Sequence, residues 1–101
     1  MITLFLTCAD KKEADVIIKR LLEQSLIVCA KQLPVTSQFH WQGAIESSAE
    51  VLVIIESLQS KFDSIEAEVK KLHSYDTFVL FAVKAIRVSA QAQKWIEKEL
   101  T

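Results

Sequence analysis

Hydrophobic and polar positions follow two rhythms along this chain. Over MITLFLTC, Ile2, Leu4 and Leu6 recur at every second residue, which predicts a strand with one buried face. From residue 11 the spacing changes to three and four. Ala14, Ile17, Ile18, Leu21 and Leu22 form one stripe, so residues 11–24 read as a helix. Asp10 and Glu13 have the spacing of a capping box, in which side chains satisfy the free amides of the first turn. Residues 26–41 are dense in β-branched and aromatic side chains and predict a long second strand. Pro34 cannot donate to a strand ladder, so it marks an edge position or a bulge there. Gln42-Gly43 supplies a turn, and residues 44–58 return as a third strand. Val51 to Ile55 lacks polar alternation, which predicts cover on both faces. Ser60 and Asp63 open a second helix striped by Phe62, Ile65, Val69 and Leu72. Residues 77–88 predict a fourth strand, and Ser89 caps a third helix carrying Ala92, Trp95, Ile96 and Leu100.

The order is β-α-β-β-α-β followed by α. That is an α+β, ferredoxin-like arrangement: an antiparallel sheet with two helices on one face, here with an extra C-terminal helix. Right-handed crossovers leave few other topologies. Both hairpin strands are far longer than the usual five or six residues. Such an arm projects beyond its own sheet, and the helix-free face also needs cover. A homo-oligomer meets both demands.

Composition narrows the picture further. The 101 residues, half of them apolar and a quarter charged, fit one globular domain spanning 1–101. A single Gly and a single Pro imply long elements and short connections. Net charge is −1 with no basic stripe, so nucleic acid is not an expected partner. No apolar run is long enough to span a bilayer and no leader pattern opens the chain, so a membrane partner is not expected and a cytoplasmic location is the default. In that compartment Cys8 and Cys29 are reduced and buried. The nucleophile elbow, the phosphate-binding Gly-rich loop and the HExxH zinc motif are all missing, and no enzymatic activity is expected.

Candidate chemistry centres on KLHSYDT, where His73, Tyr75 and Asp76 lie within four positions. One reading makes His73 a metal ligand or proton carrier with Tyr75 and Asp76 converging on it. The reading favoured here places His73 at a helix C-terminus and packs Tyr75 across a subunit boundary. His40 and Trp41 stand at the hairpin tip, where a Trp serves better as an intersubunit anchor than as a ligand platform. Glu50 and Glu56 fall at an even spacing on one strand and share a face. Together they offer a site for a hard cation or for acid–base work; solvated charge or ion pairing is the commoner outcome. Glu56 is charged inside an apolar run and calls for a partner such as Lys84 or Arg87.

Taken together, Cys29-Ala30, Pro34, SQFHWQG, Glu50, His73-x-Tyr75, Thr77 and Trp95-Ile96 resemble the CutA family in order and spacing over almost the whole chain. The resemblance implies a cytosolic, ferredoxin-like homotrimer linked to divalent-cation tolerance. It implies a non-enzymatic binding or signalling scaffold working through clefts between subunits. Tyr75, Asp76, Glu50, Glu56 and Trp41 are the cleft candidates. Copper in the family is associated with a first-strand Cys and two adjacent His residues. Here Leu6 and Leu72 occupy two of those positions and only His73 matches, which implies a weakened divalent-cation site and no firmly held cofactor. Further departures are Phe39 for Tyr, Glu56-Ser57 for Lys-Thr, Ser74, Phe78 and Lys84 for prolines, and a missing glycine after Pro34. The alternative is a PII-like trimer that binds a small molecule or nucleotide in its intersubunit clefts.

Overall fold

The computed structural model describes residues 1–101. Strands β1 (Ile2–Cys8), β2 (Cys29–Trp41), β3 (Ala44–Ser57) and β4 (Leu80–Lys84) form one sheet in the order β2-β3-β1-β4, with every neighbour antiparallel. Helices α1 (Lys11–Glu23) and α2 (Phe62–Leu72) cover one face, and α3 (Ala90–Leu100) follows β4. The α+β ferredoxin-like expectation is met.

Alternation along β1 sends Ile2, Leu4, Leu6 and Cys8 into the core, where they meet Val53 and Ile55 of β3. Ala14, Ile17 and Leu21 of α1 and Ile65 and Val69 of α2 close that core from above. Burying each large aliphatic side chain contributes about 1.5–3 kcal/mol, so this layer is the main source of stability. Helix α1 starts where the sequence predicts, with Asp10 Oδ1 accepting from the Glu13 amide at 2.8 Å. It ends in a Schellman turn: Leu26 N–H reaches Leu21 O, Ser25 N–H reaches Leu22 O, and Ser25 takes φ 55°. That turn uses the residues just after α1, so β2 begins at Cys29 rather than at 26.

Pro34 lies on the edge strand, and the β2–β3 register runs unbroken from Cys29↔Glu56 to Trp41↔Ala44 without a bulge. Gln42 at φ 50° and Gly43 at φ 81° make the two-residue turn, whose left-handed geometry suits glycine. Beyond Val51 the third strand has only β2 beside it, so Val35 to Trp41 and Ala44 to Glu50 project as a free ribbon. The ribbon accounts for the 45 Å long axis against widths of 26 and 21 Å.

Three sequence expectations change. The fourth strand is only Leu80–Lys84, because its sole neighbour is β1 and that strand begins at Ile2, opposite Lys84. Ser60 does not cap α2; a 3-10 turn at Gln59–Lys61 leads in, and neither it nor Ser89 ahead of α3 makes a side-chain cap bond. Cover over Val51–Ile55 is one-sided: Val53 and Ile55 are fully buried on the helix face, whereas Leu52 and Ile54 remain partly open on the other. On that helix-free face Phe5 stacks on Phe81 at 5.1 Å, and Leu33, Phe81, Val83 and Trp41 stay exposed.

Candidate functional site

His73 is the residue at which α2 ends, its amide bonded to Val69 O at 2.8 Å and its backbone already extended. The ring turns inward. Nε2 lies 2.8 Å from the Thr7 carbonyl, which can only accept, so Nε2 carries the proton. Nδ1 accepts from the Tyr75 amide at 3.0 Å. Those two partners define the neutral Nε2–H tautomer and occupy both nitrogens. The ring is stacked on Phe78 at 5.3 Å, lies 4.9 Å from Tyr75, and has no exposed side-chain surface. The helix-end placement is as read from the sequence, but the ring points to β1 and not along the helix axis.

The residue that approaches His73 is Glu13, not Asp76. Glu13 Oε1 accepts from Ala9 N–H at 3.1 Å and stands 3.5 Å from His73 Nδ1, while Oε2 accepts from Ser74 N–H at 3.0 Å. Burial would raise this carboxyl, but hydrogen bonds from Ser74 and Ala9 outweigh it and hold it below its usual range. Cys8, Glu13 and His73 bring one possible ligand atom each within 4.8 Å of one another. Sequence reasoning assigned Glu13 to capping alone; its carboxylate also receives the α2–β4 turn, a pairing 61 positions apart that no local pattern signals.

The fit of this cluster to a metal ion is poor. A bond to either His73 nitrogen displaces a hydrogen bond, and burial followed by the charges of Glu13, Asp10 and Glu50 pushes the Cys8 thiol up to about 12. Soft metals bind the thiolate, which that environment disfavours.

Tyr75 extends the network outward. Its hydroxyl donates to Glu50 Oε2 at 2.7 Å, and burial together with that bond raises the phenol to about 12. Tyr75 is thus anchored within its own chain. Glu50 sits at the root of the free ribbon and is 8% exposed. Beside it a groove of about 770 Å³ runs between the ribbon and the 75–79 turn, with Phe39, Trp41, Glu46, Glu50, Tyr75 and Asp76 among its walls. Trp41 is half-exposed and Asp76 exposed at its rim. Glu56 does share the face of Glu50, but six residues of strand put them about 20 Å apart, too far for joint coordination. Its partner is Lys31, a diagonal neighbour on β2, rather than Lys84 or Arg87.

A family model described as CutA1 divalent ion tolerance protein matches residues 2–99. The chain belongs to the CutA1 family. It is 35% identical over 95 residues to the divalent-cation tolerance protein CutA of Archaeoglobus fulgidus, covering 94% of this chain and 93% of that one. It is 28% identical over 99 residues to the protein of the same name from Pyrococcus horikoshii, covering 98% and 97%. The fold superposes on the solved structure of the periplasmic divalent cation tolerance protein CutA from A. fulgidus with a TM-score of 0.97, at 33% identity and full coverage of both chains. Against CutA1 from P. horikoshii the TM-score is 0.95, at 27% identity, covering 100% and 99%.

The first of those structures corrects the expected location. A CutA1 relative at this similarity is described as periplasmic, which overturns the cytoplasmic default. Within the CutA1 frame the departures have concrete positions. Leu6 is fully buried in the core and Leu72 half-buried on α2, so apolar side chains stand at both positions noted for copper.

Proposed function

We propose that this CutA1 chain is a homotrimeric, non-enzymatic binding or signalling scaffold in the response to divalent cations, copper among them, with a weakened metal site. Its working surfaces are the clefts between copies, lined by the ribbon and the His73 turn. The observation that carries the reading is the bare sheet face: Leu33, Phe81, Val83 and Trp41 are each 41–51% exposed, and the ribbon beside them has free backbone edges. A patch of that kind favours association with a copy of itself. The non-enzymatic part is supported by His73, whose enclosed ring has no nitrogen free for proton transfer. The weakened metal site is supported by the same two hydrogen bonds and by Leu6 and Leu72.

Light scattering at micromolar concentration should give the mass of three chains, and calorimetry with copper should give no submicromolar site. A folded monomer would overturn the assembly; a submicromolar copper site lost in His73→Ala would overturn the weakened centre. The groove beside Glu50 favours a second reading, a PII-like trimer holding a small molecule in its clefts. Its volume lies within the range of ordinary ligand pockets.

A further inference from the structure

Within its own chain Glu50 is a carboxylate without a countercharge. Residue exposure is 8%, yet no Lys, Arg or His lies within ion-pair distance of it. Tyr75 satisfies Oε2, while Oε1 accepts no hydrogen bond within the chain and is not sealed from the groove. Buried carboxylates are ordinarily paired with a cation, because desolvating an unpaired charge costs several kcal/mol, on the order of that for other ions. The groove wall is acidic on balance: Glu46 and Asp76 add negative charge, no Lys or Arg lines it, and His40 is its one basic side chain. A nucleotide or other polyanion is therefore the wrong sign for this cleft.

A metal ion is the wrong shape for it. Hard cations need several oxygens converging within a few ångströms, and the groove carboxylates form no such cluster; the one convergent group in the protein is Cys8, Glu13 and His73. What the groove does offer is a single recessed anion with aromatic surface alongside. Phe39 pairs across the ribbon with Glu46, and Trp41 lies two residues on, on the same face. Aromatic faces attract cations, and they also receive an apolar tail.

We propose that the groove binds a small organic ammonium ion, its charge at the free oxygen of Glu50 and its apolar body against Phe39 and Trp41. This assignment rests on the cleft reading above and names the ligand class of that cleft.

The test uses the full chain with n-butylammonium, ATP and copper(II) as separate probes, read by calorimetry and by Trp41 fluorescence in a Trp95→Phe background. Butylammonium should bind and perturb Trp41, and ATP should not. Glu50→Gln should weaken butylammonium at least tenfold. Glu46→Lys, an exposed change that leaves the core untouched, should weaken it several-fold and serves if Glu50→Gln does not fold. Tighter binding of ATP, equal butylammonium affinity in the Glu variants, or a groove response to copper alone would each overturn the proposal. Sedimentation of the same samples reads the assembly separately. A trimer that ignores butylammonium defeats the ligand class alone, whereas a monomer defeats the cleft itself.

Discussion

Glu13 Oε1 stands 3.5 Å from His73 Nδ1, yet that nitrogen is bonded to the Tyr75 amide and the two groups touch without sharing a proton. What ties Glu13 into the fold is a pair of backbone amides, Ala9 and Ser74, drawn from the β1–α1 and α2–β4 connections. The carboxylate is the charged peg that joins the start of α1 to the end of α2.

That role gives stability a defined response to acid. The Glu13 carboxyl is held below its ordinary value of 4.5. A carboxyl with a lower pKa folded than unfolded adds stability above its unfolded value and forfeits it as pH falls through the folded one. Stability measured by urea unfolding should decline between about pH 5 and pH 3, and Glu13→Gln should flatten that decline. Parallel curves for the two proteins would refute the assignment.

His73→Ala should destabilise the fold by about 3 kcal/mol. It strands the Thr7 carbonyl and the Tyr75 amide and removes a buried ring stacked on Phe78. Chemical denaturation checks this directly. A loss under about 1 kcal/mol, the scale of one neutral hydrogen bond, would mean the turn is held by other contacts.

The two cysteines should separate cleanly by reactivity. Cys8 is fully buried with its thiol pushed up to about 12, whereas Cys29 is only half-buried, on the helix-free face beside Lys31. In a dissociated chain a thiol reagent at neutral pH should modify Cys29, and Cys8 only in denaturant. Rapid modification of Cys8 in the native state would place the strand end and its carboxylates in a more open arrangement.

How much of this was legible beforehand depends on the range of the interaction. Period-two and period-three-to-four patterns located β1, α1 and the ribbon within a few residues, because those elements are set by which face meets the core. Strand β4 was overextended: its sequence stays apolar after Lys84, but Ile86 is 97% exposed because no strand lies there to pair with it. The site was half legible. His73 and Tyr75 stood out by type, and Glu50 by its place on β3. The sequence offered Tyr75 and Asp76 as neighbours converging on His73 only in the reading not favoured, and gave no sign that the fold delivers Glu13 from 60 positions away. Glu56 likewise found Lys31 through strand register, which single-sequence reasoning fixes only after the hairpin turn is known.

The helix-free face makes the sharpest claim about assembly. Phe5 and Phe81 stack there with rings 19° apart, and Phe81 and Val83 are 49% and 51% exposed in the isolated chain. A charge placed at Phe81 meets solvent in a monomer but is trapped against apolar surface in an assembly, where an unpaired buried charge costs several kcal/mol, on the order of a whole interface. Phe81→Glu should therefore yield monomers by sedimentation while circular dichroism retains the native helix and strand signal. Its melting temperature should also lose the rise with protein concentration that an associating protein shows. If Phe81→Glu sediments with the wild-type mass, copies meet through some other surface, and the apolar sheet face needs a different explanation.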